Sequence, residues 1–121
     1  MDTPLREPTF LILTALATGP MHGYGLIGEV AALSGNRVSL RPGTLYGALD
    51  RLVDAGLVEV DGEEVVDGRL RRYYRLSPGG EATLSAETER LRRNVEAATS
   101  RLSARTRAAR PITPRTAGGL A

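Results

Sequence analysis

The sequence predicts a mainly α fold with one small β hairpin. Three observations predict it: three short apolar-patterned segments before residue 56, two β-rich runs joined by Asp67-Gly68, and a long stretch without helix breakers after residue 80. At 121 residues the chain can bury a modest core but cannot divide into separate catalytic and substrate domains. Hydrophobic residues make up 41% and charged residues 25%, as in an ordinary globular protein. No apolar run approaches the ~18 to 20 residues that span a bilayer, so no membrane partner is expected.

The first helix is expected over residues 8–17, PTFLILTALA. Pro8 suits the first helical turn, and Thr18-Gly19-Pro20 cannot continue the helix. Apolar on all sides, it must be covered on more than one face. Residues 21–34, MHGYGLIGEVAALS, predict a second helix with Tyr24, Ile27 and Ala31 on one stripe and Leu26, Val30 and Leu33 beside it. Gly35-Asn36 ends it.

A third helix, residues 42–55, places Leu45, Leu49, Leu52 and Val53 at i, i+4, i+7 and i+8, before Gly56. Its outward face holds Gly43, Thr44, Gly47, Asp50, Arg51 and Asp54, with Tyr46 on the flank. That face is mostly small and polar. Residues 57–66 and 69–76 form the hairpin; pairing outward from Asp67-Gly68 sets Glu64 opposite Arg71 and Glu63 opposite Arg72. Imperfect alternation points to a bulge or a one-residue slip.

Ser77 and Pro78 suit the N-cap and first position of a last helix, which two glycines weaken. Within it Leu84, Thr88, Leu91, Val95, Ala98 and Leu102 form a heptad seam that asks for a partner, most readily a second copy of the chain. The sequence thus divides into residues 1–76, a helix over 77–107, and a tail over 108–121 whose Pro, Gly and aperiodic pattern predict disorder.

Charge is uneven. Residues 1–68 carry four Arg against ten acidic residues; residues 69–121 carry twelve Arg against four. A basic half suggests an anionic partner such as nucleic acid, although the use of Arg for all sixteen basic residues is also what a coding bias gives. The chain has no Cys and one His, so neither thiolate chemistry nor a multi-histidine metal site can be built, and no cofactor is expected. No nucleophile, base and orienting group can be assembled, so no enzyme activity is expected. His22 is expected to fix the turn into the second helix by a hydrogen bond. Tyr73 and Tyr74 are expected to pack between hairpin and core, and Arg90, Arg92 and Arg93 to be a solvated flank. Residues 1–8 lack a basic region followed by an apolar stretch, which makes the cytoplasm the expected location.

Three short helices, a hairpin and a long helix form the order of a winged helix-turn-helix domain with an appended dimerisation helix. Particular residues sharpen this: Gly19-Pro20-Met21-His22-Gly23-Tyr24; Pro42-Gly43-Thr44-Leu45-Tyr46 with Leu49, Arg51 and Leu52; Gly56-Leu57-Val58; and Arg71 through Ser77 with Gly80. In order and spacing these blocks resemble those of the PadR family of transcriptional regulators, over roughly residues 8–91. The resemblance implies a homodimeric repressor responsive to a small ligand, with the third helix in the DNA major groove and the first and last helices forming the dimer.

On that footing the expected contacts to double-stranded DNA are Arg41, Thr44, Tyr46, Gly47 and Arg51 from the third helix, and Arg69 and Arg71 from the wing. Arg41 stands where the family often has Ser or Thr before the Pro, so the helix loses a hydroxyl cap and gains a cation suited to phosphate. Expected dimer residues are Phe10, Leu11 and Leu13 on the first helix and Leu84, Leu91, Val95 and Leu102 on the last. A small apolar effector would lodge between those helices; the absence of Trp weakens the case for a sandwiched flat ligand. The competing expectation is a winged-helix module that binds protein and binds DNA weakly or not at all.

Overall fold

The computed structural model describes residues 4–109. The elements run α1 (Glu7–Leu16), β1 (Met21–His22), α2 (Gly23–Leu33), α3 (Pro42–Asp54), β2 (Val58–Val66), β3 (Arg69–Leu76) and α4 (Pro78–Ala108). The expected tail, but for its first two residues, lies outside the described residues. Contacts divide the chain after Glu87, so the first turns of α4 pack with the winged portion and the remainder forms a second unit.

Apolar periodicity builds the core. Ile12 and Leu13 of α1, Leu26 and Val30 of α2, Leu45 and Leu49 of α3, and Val58 of β2 are the largest fully buried side chains, joined by Tyr74 of β3. The buried face of α2 differs from the expected stripe. Gly23, Leu26 and Val30 are buried, whereas Tyr24 and Leu33 are exposed. Gly23 belongs to the buried set because α3 covers it with a tyrosine ring, a contact that hydrophobicity alone does not signal.

Met21 and His22 do not begin α2. They form a short strand paired antiparallel with Tyr74 and Tyr73, so the sheet has three strands in the order β1-β3-β2 rather than a hairpin alone. Backbone pairing with β3 satisfies this pair, and a two-residue strand leaves no periodicity to read. The β2–β3 register sets Glu63 against Arg72 and Glu64 against Arg71, as expected, with a bulge between Val60 and Gly62. Asp67 and Gly68 both take positive φ (53° and 77°), the conformation of a tight hairpin turn.

Where β3 ends, α4 is anchored. The amide of Ser77 donates to the Leu57 carbonyl; the Ser77 hydroxyl donates to the Gly56 carbonyl (2.6 Å) and accepts from the Gly80 amide (2.9 Å). The two glycines here are not a weakness of the helix. A Cβ on Gly80 would stand 2.0 Å from the Leu57 carbonyl oxygen, so only glycine permits this approach. Ten residues on, the buried carboxylate of Glu87 accepts from the Leu5 amide (3.1 Å), tying the segment before α1 to α4.

Candidate nucleic-acid interface

The turn and strand that precede α2 aim its first residue at α3. His22 caps α2: its Nδ1 accepts from the Gly25 amide (3.3 Å), while Tyr73 meets the imidazole edge-on at 5.5 Å. The expected turn-fixing role is what the ring performs. Behind it the Tyr46 side chain reaches back from α3, and its hydroxyl lies 2.0 Å from where a Cβ on Gly23 would be. Tyr46 keeps 38% of its surface exposed, so it is both a packing residue and a surface one. Burial, with the phenols of Tyr74 and Tyr24 nearby, raises its pKa above the ordinary tyrosine value.

On α3, Gly43, Thr44, Asp50, Arg51 and Asp54 are exposed and Gly47 is half-buried, while Leu45, Leu49 and Leu52 face the core. The outward face is the small, polar one expected. Arg41 sits at the N-cap with no side-chain cap bond. Among the described residues Thr44 makes no side-chain hydrogen bond, and Arg51 pairs with neither Asp50 nor Asp54; its guanidinium lies over Gly47.

The wing sorts its arginines into two kinds. Arg72 is held by Glu63 (2.8 Å), and Arg75 by Glu59 (2.8 Å) and Asp61 (2.5 Å), contacts that raise both guanidinium pKa values. Arg69 and Arg71 make no ion pair among the described residues. Glu64, opposite Arg71 in the ladder, accepts instead from the Tyr73 hydroxyl (2.7 Å). Tyr74 is buried in the core as expected, whereas Tyr73 is half-buried outside it, its ring against His22 and its hydroxyl on Glu64.

Between wing and helices lies a cleft of about 490 Å³, lined among others by Tyr24, Tyr46, Arg69, Leu70, Arg71 and Arg72. Phenol hydroxyls and the guanidinium groups of Arg69 and Arg71 at a concave surface suit a phosphate chain, although the cleft also holds one carboxylate, Asp67. The surface is not positive by bulk charge. Residues 4–87 carry eight Arg against eleven acidic residues, whereas residues 88–109 carry six against two. The basic excess of the second half therefore lies largely along α4 and not on the wing. Among the described residues no cluster of His, Cys, Asp or Glu suits a metal ion, and no helix is long and apolar enough to cross a membrane.

The residues expected to join two copies fall into three groups. Leu11 and Leu13 are buried in the core of their own chain, Leu13 completely, which leaves it no surface for a partner. Phe10 and Leu84 pack partly buried against that core, and Leu91 is half-buried. Val95 and Leu102, seven residues apart, are 63% and 64% exposed. Beside them Arg92 bridges Glu89 and Glu96, and Arg93 reaches Glu89, a solvated flank as expected.

Sequence reasoning missed Tyr24 and Leu70 as surface groups. Helical spacing puts Tyr24 on the expected inner stripe, and no local signal marks Leu70 as exposed.

Comparison with known proteins places the chain. The family model described as the transcriptional regulator PadR-like family matches residues 12–86. The chain is 45% identical over 80 residues to transcriptional regulator Rv3488 of Mycobacterium tuberculosis, covering 66% of this chain and 71% of that protein. It is 42% identical over 88 residues to an uncharacterised 37.1 kDa protein of transposon Tn4556 from Streptomyces fradiae, covering 73% of this chain but only 24% of that longer relative. Its fold is similar to that of Bacillus subtilis PadR in complex with operator DNA, with a TM-score of 0.60 and 22% identity, covering 67% of this chain and 47% of that one. These matches, to a family of transcription regulators rather than enzymes, fall on the same helices and wing that the motifs mark: the chain belongs to the PadR-like family of transcriptional regulators.

Proposed function

We propose that the chain is a cytoplasmic homodimeric repressor that binds a palindromic operator, with α3 in the major groove and the wing at the adjoining minor groove. The observation that carries this is the cleft between Tyr46 and the wing. With a helix in one groove and a hairpin in the next, the backbone strand separating the grooves must pass between them. The tyrosine hydroxyls and the unpaired Arg69 and Arg71 line that path. Gly43, Thr44 and Gly47 let α3 approach base edges closely, Arg51 reaches bases or phosphate, and Arg41 meets phosphate at the helix N-terminus.

Two copies joined through α4, chiefly by Val95 and Leu102, present two reading helices one DNA turn apart, ~34 Å. A small apolar effector beside Phe10 would release the operator by changing that spacing. The test is the doubly substituted R51A/R69A protein in shift gels at fixed salt with fragments of its own upstream DNA. Affinity is expected to fall by orders of magnitude; unchanged binding overturns the assignment.

One observation favours a second function, a module that binds protein: the acidic balance of residues 4–87. On that footing the purified protein binds no duplex and R51A/R69A changes nothing.

A further inference from the structure

The wing carries an apolar pair that the core does not use, one member of which, Leu70, also borders the cleft. Val65 and Leu70 are direct cross-strand partners, 69% and 63% exposed, between the Arg72–Glu63 ion pair and the Asp67–Gly68 turn. Strand alternation puts Leu70 on the same sheet face as Tyr74, but beyond the reach of the core, and puts Arg69 and Arg71 on the opposite face. Near its tip the hairpin therefore carries Val65 and Leu70 on one side, beside the Arg72–Glu63 pair, and Arg69 and Arg71 on the other, with Glu64.

The hairpin from residue 58 to residue 76 holds five acidic residues against four Arg, so net charge is not what it offers a duplex. Once its internal ion pairs are counted, Glu64 and Asp67 remain as carboxylates, and what is left to meet a duplex is two guanidinium groups and two branched apolar side chains. The minor groove is the part of a duplex that takes both. Its edges carry phosphates, and an apolar side chain pushed between base pairs at its floor unstacks a step and kinks the helix. A protein partner for the same apolar pair would leave Arg69 and Arg71 facing away from it with nothing to meet.

Resting on the DNA-binding assignment above, we propose that the Val65–Leu70 pair is a wedge that enters the minor groove beside the α3 site and opens a base step there. The wing then reads deformability and not base identity. Pyrimidine–purine steps, which unstack most readily, are favoured under it although no side chain bonds to their edges.

The test uses duplexes selected by the intact protein from a random pool, one set carrying 2-aminopurine in the flanking steps. The wild type is expected to bend the duplex by roughly 20–90° and to raise 2-aminopurine fluorescence at one flanking step. Selected sequences are expected to be enriched there in pyrimidine–purine steps. V65T/L70T, which retains β-propensity and both arginines, is expected to lose the bend and the fluorescence change while keeping the salt dependence of binding. L70M, still apolar, is expected to keep both signals.

A straight complex with the wild type, or an unchanged bend with V65T/L70T, overturns the wedge and leaves the operator assignment standing. So does a change in sedimentation of V65T/L70T, which would mark the pair as a contact between protein chains. Failure of the wild type to select any duplex overturns both.

Discussion

Gly80 and Ser77 show how single residues fix the start of a long helix. A methyl group at residue 80 would meet the Leu57 carbonyl oxygen at 2.0 Å and the Leu76 side chain at 2.8 Å. Backbone cannot yield as a side-chain tip can, so G80A is expected to destabilise the protein by about 3 kcal/mol, read from urea unfolding at constant slope. Ser77 is 3% exposed and its hydroxyl satisfies two backbone groups, one at each side of the junction. S77A leaves both short of a partner and is expected to cost about 2 kcal/mol in the same measurement. The motif block around Ser77 and Gly80 was legible in the sequence. Its physical reason was not, because the atom that forbids a side chain at residue 80 belongs to a residue 23 positions earlier.

At the level of elements, the wing separates arginines by partner rather than by position. Replacing Arg69 and Arg71 together with Ala is expected to reduce the slope of log affinity against log salt by about 2, one for each phosphate released. R75A, whose guanidinium is engaged by Glu59 and Asp61, is expected to leave that slope unchanged. The α1 start is tied differently, by a two-bond ion pair between Glu7 and Arg37 in the turn after α2. The hydrogen bond from Arg37 holds the Glu7 carboxyl below the ordinary carboxylate value. A carboxyl lowered in the folded state contributes stability above its unfolded pKa and loses it as pH falls through the folded one. R37Q is therefore expected to flatten the fall in thermal midpoint between about pH 5 and pH 3. Hairpin register was readable because opposite charges and an Asp-Gly turn are local signals. The strand Met21–His22 was not, since its only reason to be extended is a pair of tyrosines more than fifty residues away.

For the molecule as a whole, the seam of α4 is one apolar surface that the described residues leave open, with Val95 and Leu102 exposed in the second unit. V95E/L102E is expected to turn a sedimenting dimer into single chains and to weaken binding to a two-half-site duplex far more than to one half-site. The heptad spacing was plain in the sequence, as was the order of helices, hairpin and helix. What spacing could not tell is where the seam changes duty. Leu84 belongs to the core of its own chain, whereas Val95 and Leu102 do not, because the winged portion covers only the first turns of α4. Charge pointed to an anionic partner but not to its place, since a count over half the sequence cannot tell a reading surface from a helix that follows it. The root of α4 and the base of the wing are meanwhile joined by three main-chain-anchored bonds at Ser77 and by a glycine with no room to slide. Amide exchange should report that joint: the Ser77 and Gly80 amides are expected to stay protected until the winged unit itself opens.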